Sequence, residues 1–233
     1  MTNKIVIKGV LFDCDGVISQ SPVDYANAWV NALAEHGLAI KPEDWAPLEG
    51  AKTTEIAKKL WEKGGGAGEC DAEALVARKD FYYHRDRKFA FYPGIEDLID
   101  RLVSKGVPVS IVTSSSRFNV EDNIPKSFLD KFTGIVVGEM LERGKPDPDP
   151  FLKGAELIKV PIEHCLGVEN APLGIKSLKA AGAGFCVAVA TTNDAEILSE
   201  ADLVVPDIES LGQAEIIQEL IHFCENQELK KFK

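Results

Sequence analysis

The fold of this chain is decided by one stretch near its start, Ile5-Val6-Ile7-Lys8-Gly9-Val10-Leu11-Phe12-Asp13-Cys14-Asp15-Gly16-Val17. Its apolar half predicts a β-strand, which ends at two carboxylates one residue apart. Because side chains repeat every second residue along an extended chain, Asp13 and Asp15 are expected to point the same way, and Gly16 allows a sharp turn after them. The pair suits one carboxylate as nucleophile and the other as proton donor. A calcium-binding loop or a simple turn would also explain it, so the ends of the later strands must decide.

The composition is that of an acidic globular protein. The 233 residues are 45% hydrophobic, which allows one large domain, or a domain with an insert, around a sizeable core. The formal net charge of -11 argues against a general affinity for nucleic acid or for an anionic membrane. No apolar stretch is long enough to span a bilayer, and the first residues lack the apolar core of a signal peptide. The five cysteines are scattered, which predicts neither disulfides nor a zinc site and favours the cytoplasm.

Residues 19–88 show a purely helical pattern. One helix is expected from Pro22, after Ser21 as N-cap, to Gly37, a second over residues 53–63 and a third over about residues 71–86. We therefore predict an all-helical cap domain at 19–88, inserted into a discontinuous α/β core domain formed by 1–18 and 89–233. The charged residues Arg78 and Lys79 are expected on the solvated face of the third helix.

From residue 92 onward, strands and helices alternate. Strands are predicted near 107–112, 134–137, 165–168, 185–190 and 203–205, with helices between them and a last helix over 211–224. Such alternation predicts an α/β fold with a doubly wound, Rossmann-like parallel sheet.

Polar residues follow the ends of these strands. Thr113 and Ser114 follow one strand, Glu169 and Asn170 follow another, and Lys145 lies in a Pro-rich loop between them. Because the carboxyl ends of parallel strands share one edge of the sheet, these groups are expected to lie close to Asp13 and Asp15.

The converging groups suit phosphoryl transfer to a carboxylate nucleophile. Mg²⁺ would offset the repulsion between Asp13 and phosphate, with hard oxygen ligands from Asp13, a backbone carbonyl and Glu169. Lys145 can neutralise one phosphate oxygen as a point charge. Thr113 and the amide that follows it can donate hydrogen bonds to another.

With these motifs in order, the chain resembles the haloacid dehalogenase (HAD) superfamily. Four motifs match: the first is Asp13-x-Asp15-Gly16-Val17, the second is Thr113, the third is Lys145-Pro146, and the fourth is Glu169-Asn170 ahead of Gly174-Ile175. The helical insert resembles the small cap of the β-phosphoglucomutase-like branch. The second acid, Asp15, is absent from true dehalogenases and so favours phosphate chemistry.

The resemblance implies a role for each motif. Asp13 would form an aspartyl phosphate, and Asp15 would protonate the leaving alcohol and then activate water. Thr113 and Ser114 would hold the phosphate, and Lys145 would stabilise charge on it.

The resemblance also implies the Mg²⁺ ligands: Asp13, the carbonyl of Asp15, Glu169 and Asn170. This family commonly has Glu-Asp where the chain has Glu169-Asn170. An asparagine oxygen can ligate Mg²⁺ without contributing charge, so Asn170→Asp is expected to tighten Mg²⁺ binding.

The sequence leaves three functions open. The sequence favours a Mg²⁺-dependent phosphatase that hydrolyses a small phosphorylated metabolite, such as a sugar phosphate, in a monomer or weak homo-oligomer. A phosphomutase of the β-phosphoglucomutase type is the alternative, but Tyr25 stands where that enzyme has a functional histidine and Thr53 where it has a phosphate-gripping arginine. A non-catalytic protein that binds a phosphometabolite is the third, and Asn170 is its support.

Overall fold

The computed structural model describes residues 6–231, and a six-stranded parallel sheet is its scaffold. The strands are β1 (Gly9–Phe12), β2 (Val109–Val112), β3 (Gly134–Val136), β4 (Cys165–Glu169), β5 (Phe185–Val189) and β6 (Leu203–Val205). Their order is β3-β2-β1-β4-β5-β6, so successive strands run outward from β1 and then return to its other side. The predicted doubly wound parallel sheet is confirmed. Strand β1 is shorter than the apolar run, residues 5–12, that predicted it. Ile5 lies outside the described residues.

Helices cover both faces of the sheet, as a buried parallel sheet requires. Along β1, Val10 and Phe12 face one apolar cluster and Leu11 faces another. The helices of this α/β part are α5 (Ile95–Ser104), α6 (Arg117–Asn123), α7 (Lys126–Leu129), α8 (Asp149–Ile158), α9 (Pro172–Ala181), α10 (Ile208–Gln213) and α11 (Glu215–Lys231). The single last helix that we predicted is two helices, because Ala214 between them takes an extended conformation.

The insert is helical, as the sequence predicts. It contains α1 (Pro22–Ala34), α2 (Pro42–Trp45), α3 (Thr53–Lys63) and α4 (Ala72–Asp86), and it has an apolar cluster of its own. We call residues 19–88 the helical insert. Its two connections to the sheet lie side by side, since the amide of Gln20 donates to the carbonyl of Ala90 at 2.9 Å. The division of the chain into domains at these connections stays a prediction.

The order of the strands places a crevice above β1 and β4. The winding of the sheet reverses between these two neighbours, since β2 and β3 lie on one side of β1 and β4, β5 and β6 lie on the other. Ligands of open α/β sheets bind outside the carboxyl ends of the strands at such a point. In the register of the pair, Phe12 lies opposite Val168, so Asp13 and Glu169 follow at adjacent strand ends. Among the described residues, we find no helix long and apolar enough to cross a membrane.

Candidate active site

A buried lysine joins the ends of β1 and β4. The Nζ atom of Lys145 donates hydrogen bonds to Oδ1 of Asp13 and, at 2.6 Å, to Oε1 of Glu169. It also donates to the carbonyl oxygen of Val112 at 3.3 Å. The side chain of Lys145 is completely buried, with Nζ 5.0 Å from the centre of the Phe151 ring. The structure thus brings together three of the residues that the sequence singled out.

The protonation of this group follows from its burial. Burial raises the pKa of Asp13 well above its ordinary value, and although the charge of Lys145 opposes this shift, the nearby charges of Glu169 and Asp15 add to it. Burial lowers the pKa of Lys145, but the two carboxylates outweigh it and hold that pKa above its ordinary range. The lysine therefore stays cationic and compensates the charge of the two acids that it contacts in the interior.

Glu169 is held by the start of α9 as well as by the lysine. Its Oε2 atom accepts hydrogen bonds from the backbone amides of Asn170 at 2.9 Å and Ala171 at 3.2 Å. A β-carbon at Gly174 would lie 1.8 Å from Oε1 of Glu169, so this carboxylate can lie against the helix only where residue 174 lacks a side chain. Free N–H groups at a helix N-terminus favour a negative charge at this place.

Four hydroxyl groups surround the carboxylate of Asp15. Its Oδ1 accepts from the hydroxyls of Ser21 and, at 3.4 Å, Ser19. Its Oδ2 accepts from Ser115 at 2.7 Å and from Thr113 at 3.3 Å. These contacts fix the orientation of the carboxyl group beside Asp13.

Sequence reasoning did not find three of these hydroxyls: Ser19, Ser21 and Ser115. Ser21 does precede α1, but its hydroxyl makes no hydrogen bond to the helix and is used by Asp15 instead. The only sequence signal for Ser19 and Ser21 was their closeness to Asp15, four and six residues away along the chain, because the turn that brings Ser19 back, closed by its amide and the Cys14 carbonyl at 2.9 Å, is seen only in the structure.

The two residues predicted to bind phosphate have different contacts. Thr113 donates to Asp15, and its oxygen accepts the amide of Ser115 at 3.0 Å. Ser114 donates its hydroxyl to the carbonyl of Gly50 in the helical insert at 2.7 Å, and its own carbonyl accepts the hydroxyl of Thr53 at 3.3 Å. Both residues line the cavity, and their role in holding phosphate stays a prediction.

Asn170 is completely buried and only half of its amide is bonded. Its Nδ2 donates to Oε1 of Glu49 and to Oγ1 of Thr192, both at 2.7 Å. Its Oδ1 has no hydrogen-bond partner among the described residues. The amide approaches the first motif so closely that a β-carbon at Gly16, whose φ is +95°, would lie 2.1 Å from Nδ2.

The site fits a hard divalent cation. The buried, unbonded oxygen of Asn170 is a neutral donor of the kind that Mg²⁺ accepts, and Asp13 is a carboxylate at the same sheet edge. Within residues 6–231, no three acidic, imidazole or thiol side chains form a metal site by themselves. A ligand set at this place would therefore have to combine carboxylate oxygens with donors of another kind, such as the amide oxygen of Asn170.

Glu49 is a site residue that the sequence did not indicate. It lies in the helical insert, yet its side chain is only 4% exposed and contacts the core beside Asn170. Burial raises the pKa of Glu49 to about 7, although the hydrogen bonds from Asn170 and Thr192 oppose this. Nothing in the local sequence, Pro47-Leu48-Glu49-Gly50, distinguishes it from a solvated loop acid.

Lys79 corrects a sequence-based expectation. We expected it on the solvated face of its helix, and that is wrong: it is 2% exposed and lines the cavity. Its Nζ lies 4.8 Å from the centre of the Tyr25 ring and 5.6 Å from that of Trp29. Burial lowers the pKa of Lys79, and its hydrogen-bonded neighbour Asp80 opposes that shift. The insert therefore presents a cation to the site.

The cavity lies between the helical insert and the sheet edge. Its walls include Asp13, Asp15 and Asn170 from the sheet side and Glu49 and Lys79 from the insert. The space inside it for the centres of water-sized molecules is about 50 Å³, which is enough for a few water molecules only. The insert is thus closed over the site.

The family of the chain follows from comparison with known proteins. The model of the haloacid dehalogenase-like hydrolases matches residues 10–188, so the chain belongs to this family, as its motifs predicted. It is 33% identical over 205 residues to hexitol phosphatase A of Escherichia coli (strain K12), covering 88% of this chain and 93% of that protein. It is 28% identical over 211 residues to beta-phosphoglucomutase of Bacillus subtilis (strain 168), covering 85% and 89%.

Solved structures agree with this assignment. A putative beta-phosphoglucomutase from Bacteroides vulgatus superimposes with a TM-score of 0.81 at 26% sequence identity, over 94% of this chain and 92% of that chain. The predicted HAD core with helices inserted after the first motif is therefore the fold of the chain.

Proposed function

We propose that this protein is a Mg²⁺-dependent phosphatase that hydrolyses a small phosphate monoester through an aspartyl phosphate. The observation that carries the proposal is the contact of Lys145 with both Asp13 and Glu169, beside a second, separately oriented acid, Asp15. A nucleophile, a fixed cation and a proton donor are the groups that this reaction needs. The similarity to hexitol phosphatase A supports a phosphoric monoester hydrolase.

The first half-reaction consumes the ester. An oxygen of Asp13 forms a bond to phosphorus, the bond from phosphorus to the alcohol oxygen breaks, and Asp15 gives that oxygen its proton. The four hydroxyls around Asp15 hold its carboxyl group in one orientation during the transfer. Lys145 stabilises charge on Asp13 and on the phosphate.

The second half-reaction regenerates the enzyme. Asp15, now ionised, takes a proton from water as the water oxygen bonds to phosphorus, and the bond from phosphorus to Asp13 breaks to release inorganic phosphate. When bound, Mg²⁺ supplies positive charge that offsets the repulsion between Asp13 and the phosphate. The residues that would hold it are Asp13, the carbonyl of Asp15, Glu169 and Asn170.

The cavity supports a small, polar substrate such as a sugar phosphate or sugar-alcohol phosphate. Tyr25 and Trp29 provide aromatic surface, and Lys79 provides a cation that can bond hydroxyl or anionic oxygens. Because the closed cavity holds only a few waters, the helical insert must open to admit a substrate. From the acidic charge and the scattered cysteines we also propose a cytoplasmic monomer or weak homo-oligomer that binds neither nucleic acid nor membranes.

A phosphomutase is the second candidate, and Lys79 is the observation in its favour, since a mutase must grip a second phosphate. Against it, the uncharged Tyr25 stacks on Tyr83 with ring centres 4.0 Å apart, and the uncharged Thr53 bonds the carbonyl of Ser114. Without a guanidinium there, a second phosphate lacks a charge-assisted bidentate partner. The non-catalytic alternative loses its support, because contact with Glu49 gives a reason for Asn170 other than loss of activity.

One experiment tests the proposal. The purified protein is incubated with a panel of sugar and sugar-alcohol phosphates, with and without Mg²⁺, and inorganic phosphate is measured. We expect Mg²⁺-dependent phosphate release from at least one compound. β-Glucose 1-phosphate with a trace of glucose 1,6-bisphosphate is assayed in parallel, and glucose 6-phosphate forming much faster than free phosphate would establish the mutase instead.

A further inference from the structure

The side chain of Glu49 crosses from the helical insert into the core. Its Oε1 accepts from Nδ2 of Asn170 at 2.7 Å, and its Oε2 accepts from the hydroxyl of Thr192 at 3.1 Å and from Nδ2 of Asn193 at 3.3 Å. The first donor follows β4 and the other two follow β5. A single carboxyl group thus connects the insert to both loops beside the candidate metal site.

This contact requires an amide at position 170. Nδ2 of Asn170 is the donor to Glu49, and a carboxylate at the same place would set acceptor against acceptor in a buried site. Two acids in such contact cannot both ionise at low cost. Glu49 and Asn170 therefore form a matched pair, in which a buried acceptor in the insert requires a donor at position 170.

The same contact decides the direction of the amide. With Nδ2 bonded to Glu49 and to Thr192, Oδ1 must face away from both and is left without a partner among the described residues. A flipped amide would bring its oxygen against the carboxyl group of Glu49. The contact that closes the insert is therefore also the contact that presents the Asn170 oxygen as a possible ligand.

We propose that Glu49 is a positioning residue that latches the helical insert onto the fourth motif through Asn170, and that asparagine stands at position 170 in order to donate to this latch. The inference rests on the proposed function for the significance of the fourth motif. The latch itself is a property of the closed protein, so it can be tested without metal or substrate.

The test exchanges the donor and the acceptor. Four proteins are compared in metal-free form at the same mildly alkaline pH: wild type, Asn170→Asp, Glu49→Gln, and the double variant. Hydrogen exchange followed by mass spectrometry reports the protection of residues 48–53, which lie against Ser114 in the closed form. Glu62→Gln, an exposed acid of the same insert, is the matched control for the change in charge.

We expect Asn170→Asp to speed exchange of residues 48–53 by about tenfold, the scale of one lost hydrogen bond to a charged group. Glu49→Gln should also speed the exchange of these residues. The side-chain nitrogen of the new glutamine would face another hydrogen-bond donor, either Nδ2 of Asn170 or Nδ2 of Asn193. In the double variant, the amide at position 49 can donate to the carboxylate at position 170 and still accept from Thr192 and Asn193. Protection should therefore return to within about threefold of wild type. Glu62→Gln should exchange like wild type.

Two results would overturn the latch: wild-type protection in Asn170→Asp, or a double variant no better protected than Asn170→Asp. If either occurs while the wild type still releases phosphate, the latch fails and the proposed phosphatase stands. If the double variant recovers protection but the wild type releases no phosphate from any compound of the panel, the latch stands and the proposed function fails.

Discussion

Nζ of Lys145 lies 2.6 Å from Oε1 of Glu169, although one residue comes from a loop after β3 and the other ends β4. The same ammonium group bonds Asp13 at the end of β1. Three segments far apart in sequence are thus tied by one buried charge, at the place where the order of the strands reverses. This contact fixes the relative positions of the three segments at the sheet edge.

Replacing the nucleophile should abolish turnover. In Asp13→Asn, the carboxamide cannot attack phosphorus at a useful rate, while its similar shape should leave the fold intact. Phosphate release is measured alongside thermal unfolding of the variant. In the wild type, acid quench and mass spectrometry should locate phosphate on Asp13. Substantial activity in a pure preparation of Asp13→Asn would refute the mechanism.

Replacing the proton donor should slow the reaction without removing the site. For Asp15→Asn we expect turnover to fall roughly 10²-fold or more, the usual contribution of a positioned acid–base. Ser115→Ala removes one of the four hydroxyls around Asp15, so its turnover should fall about tenfold or less. Steady-state kinetics compare the two, and an Asp15→Asn loss no larger than that of Ser115→Ala would argue against the role of Asp15.

Removing the buried cation should destabilise the protein. Lys145→Met leaves Asp13 and Glu169 uncompensated in the interior, which costs about 3–5 kcal/mol when one partner of a buried ion pair is removed. Denaturant unfolding measures this, with the exposed Lys126→Met as control. Neutralising both acids as well, with Asp13→Asn and Glu169→Gln, should recover much of the loss. Equal stability of Lys145→Met and wild type would contradict the buried ion pair.

Phosphate release should require Mg²⁺, and the residue at position 170 should affect how tightly Mg²⁺ binds. Chelation is expected to stop phosphate release, and added Mg²⁺ to restore it. Calorimetry should show tighter Mg²⁺ binding to the double variant Glu49→Gln, Asn170→Asp than to wild type, by about tenfold, because it supplies an anionic oxygen at position 170 without an opposing acid. The net charge of the two proteins is equal, so a difference reports the ligand. Unchanged affinity would mean that residue 170 does not bind the metal.

The cation of the helical insert should act on substrate binding. Lys79→Met removes a charge that faces the cavity, so KM should rise by about tenfold with a smaller change in kcat. Arg78→Met changes the exposed neighbour on the same helix and should leave both constants near those of wild type. If the two variants behave alike, Lys79 is a packing residue.

The sequence by itself determined the order of the elements and the place of the main acids. Continuous apolar runs marked the ends of β1 and β4, because a buried strand must stop where charged side chains begin. The bounds of α3 could be read in the same way, as could the helical character of the insert. The motifs then indicated the family, which the comparisons confirm.

Only the tertiary structure decided which side chains meet. Glu49 and Asn170 are 121 residues apart, and no local pattern marks either one for the other. Lys79 is buried because two aromatic rings and Asp80 enclose it, although helical charge patterning predicts a solvated lysine there. Sequence periodicity reports how one segment meets its surroundings, whereas a latch or a ring of hydroxyls depends on the packing of segments against one another, which is set when the whole chain folds.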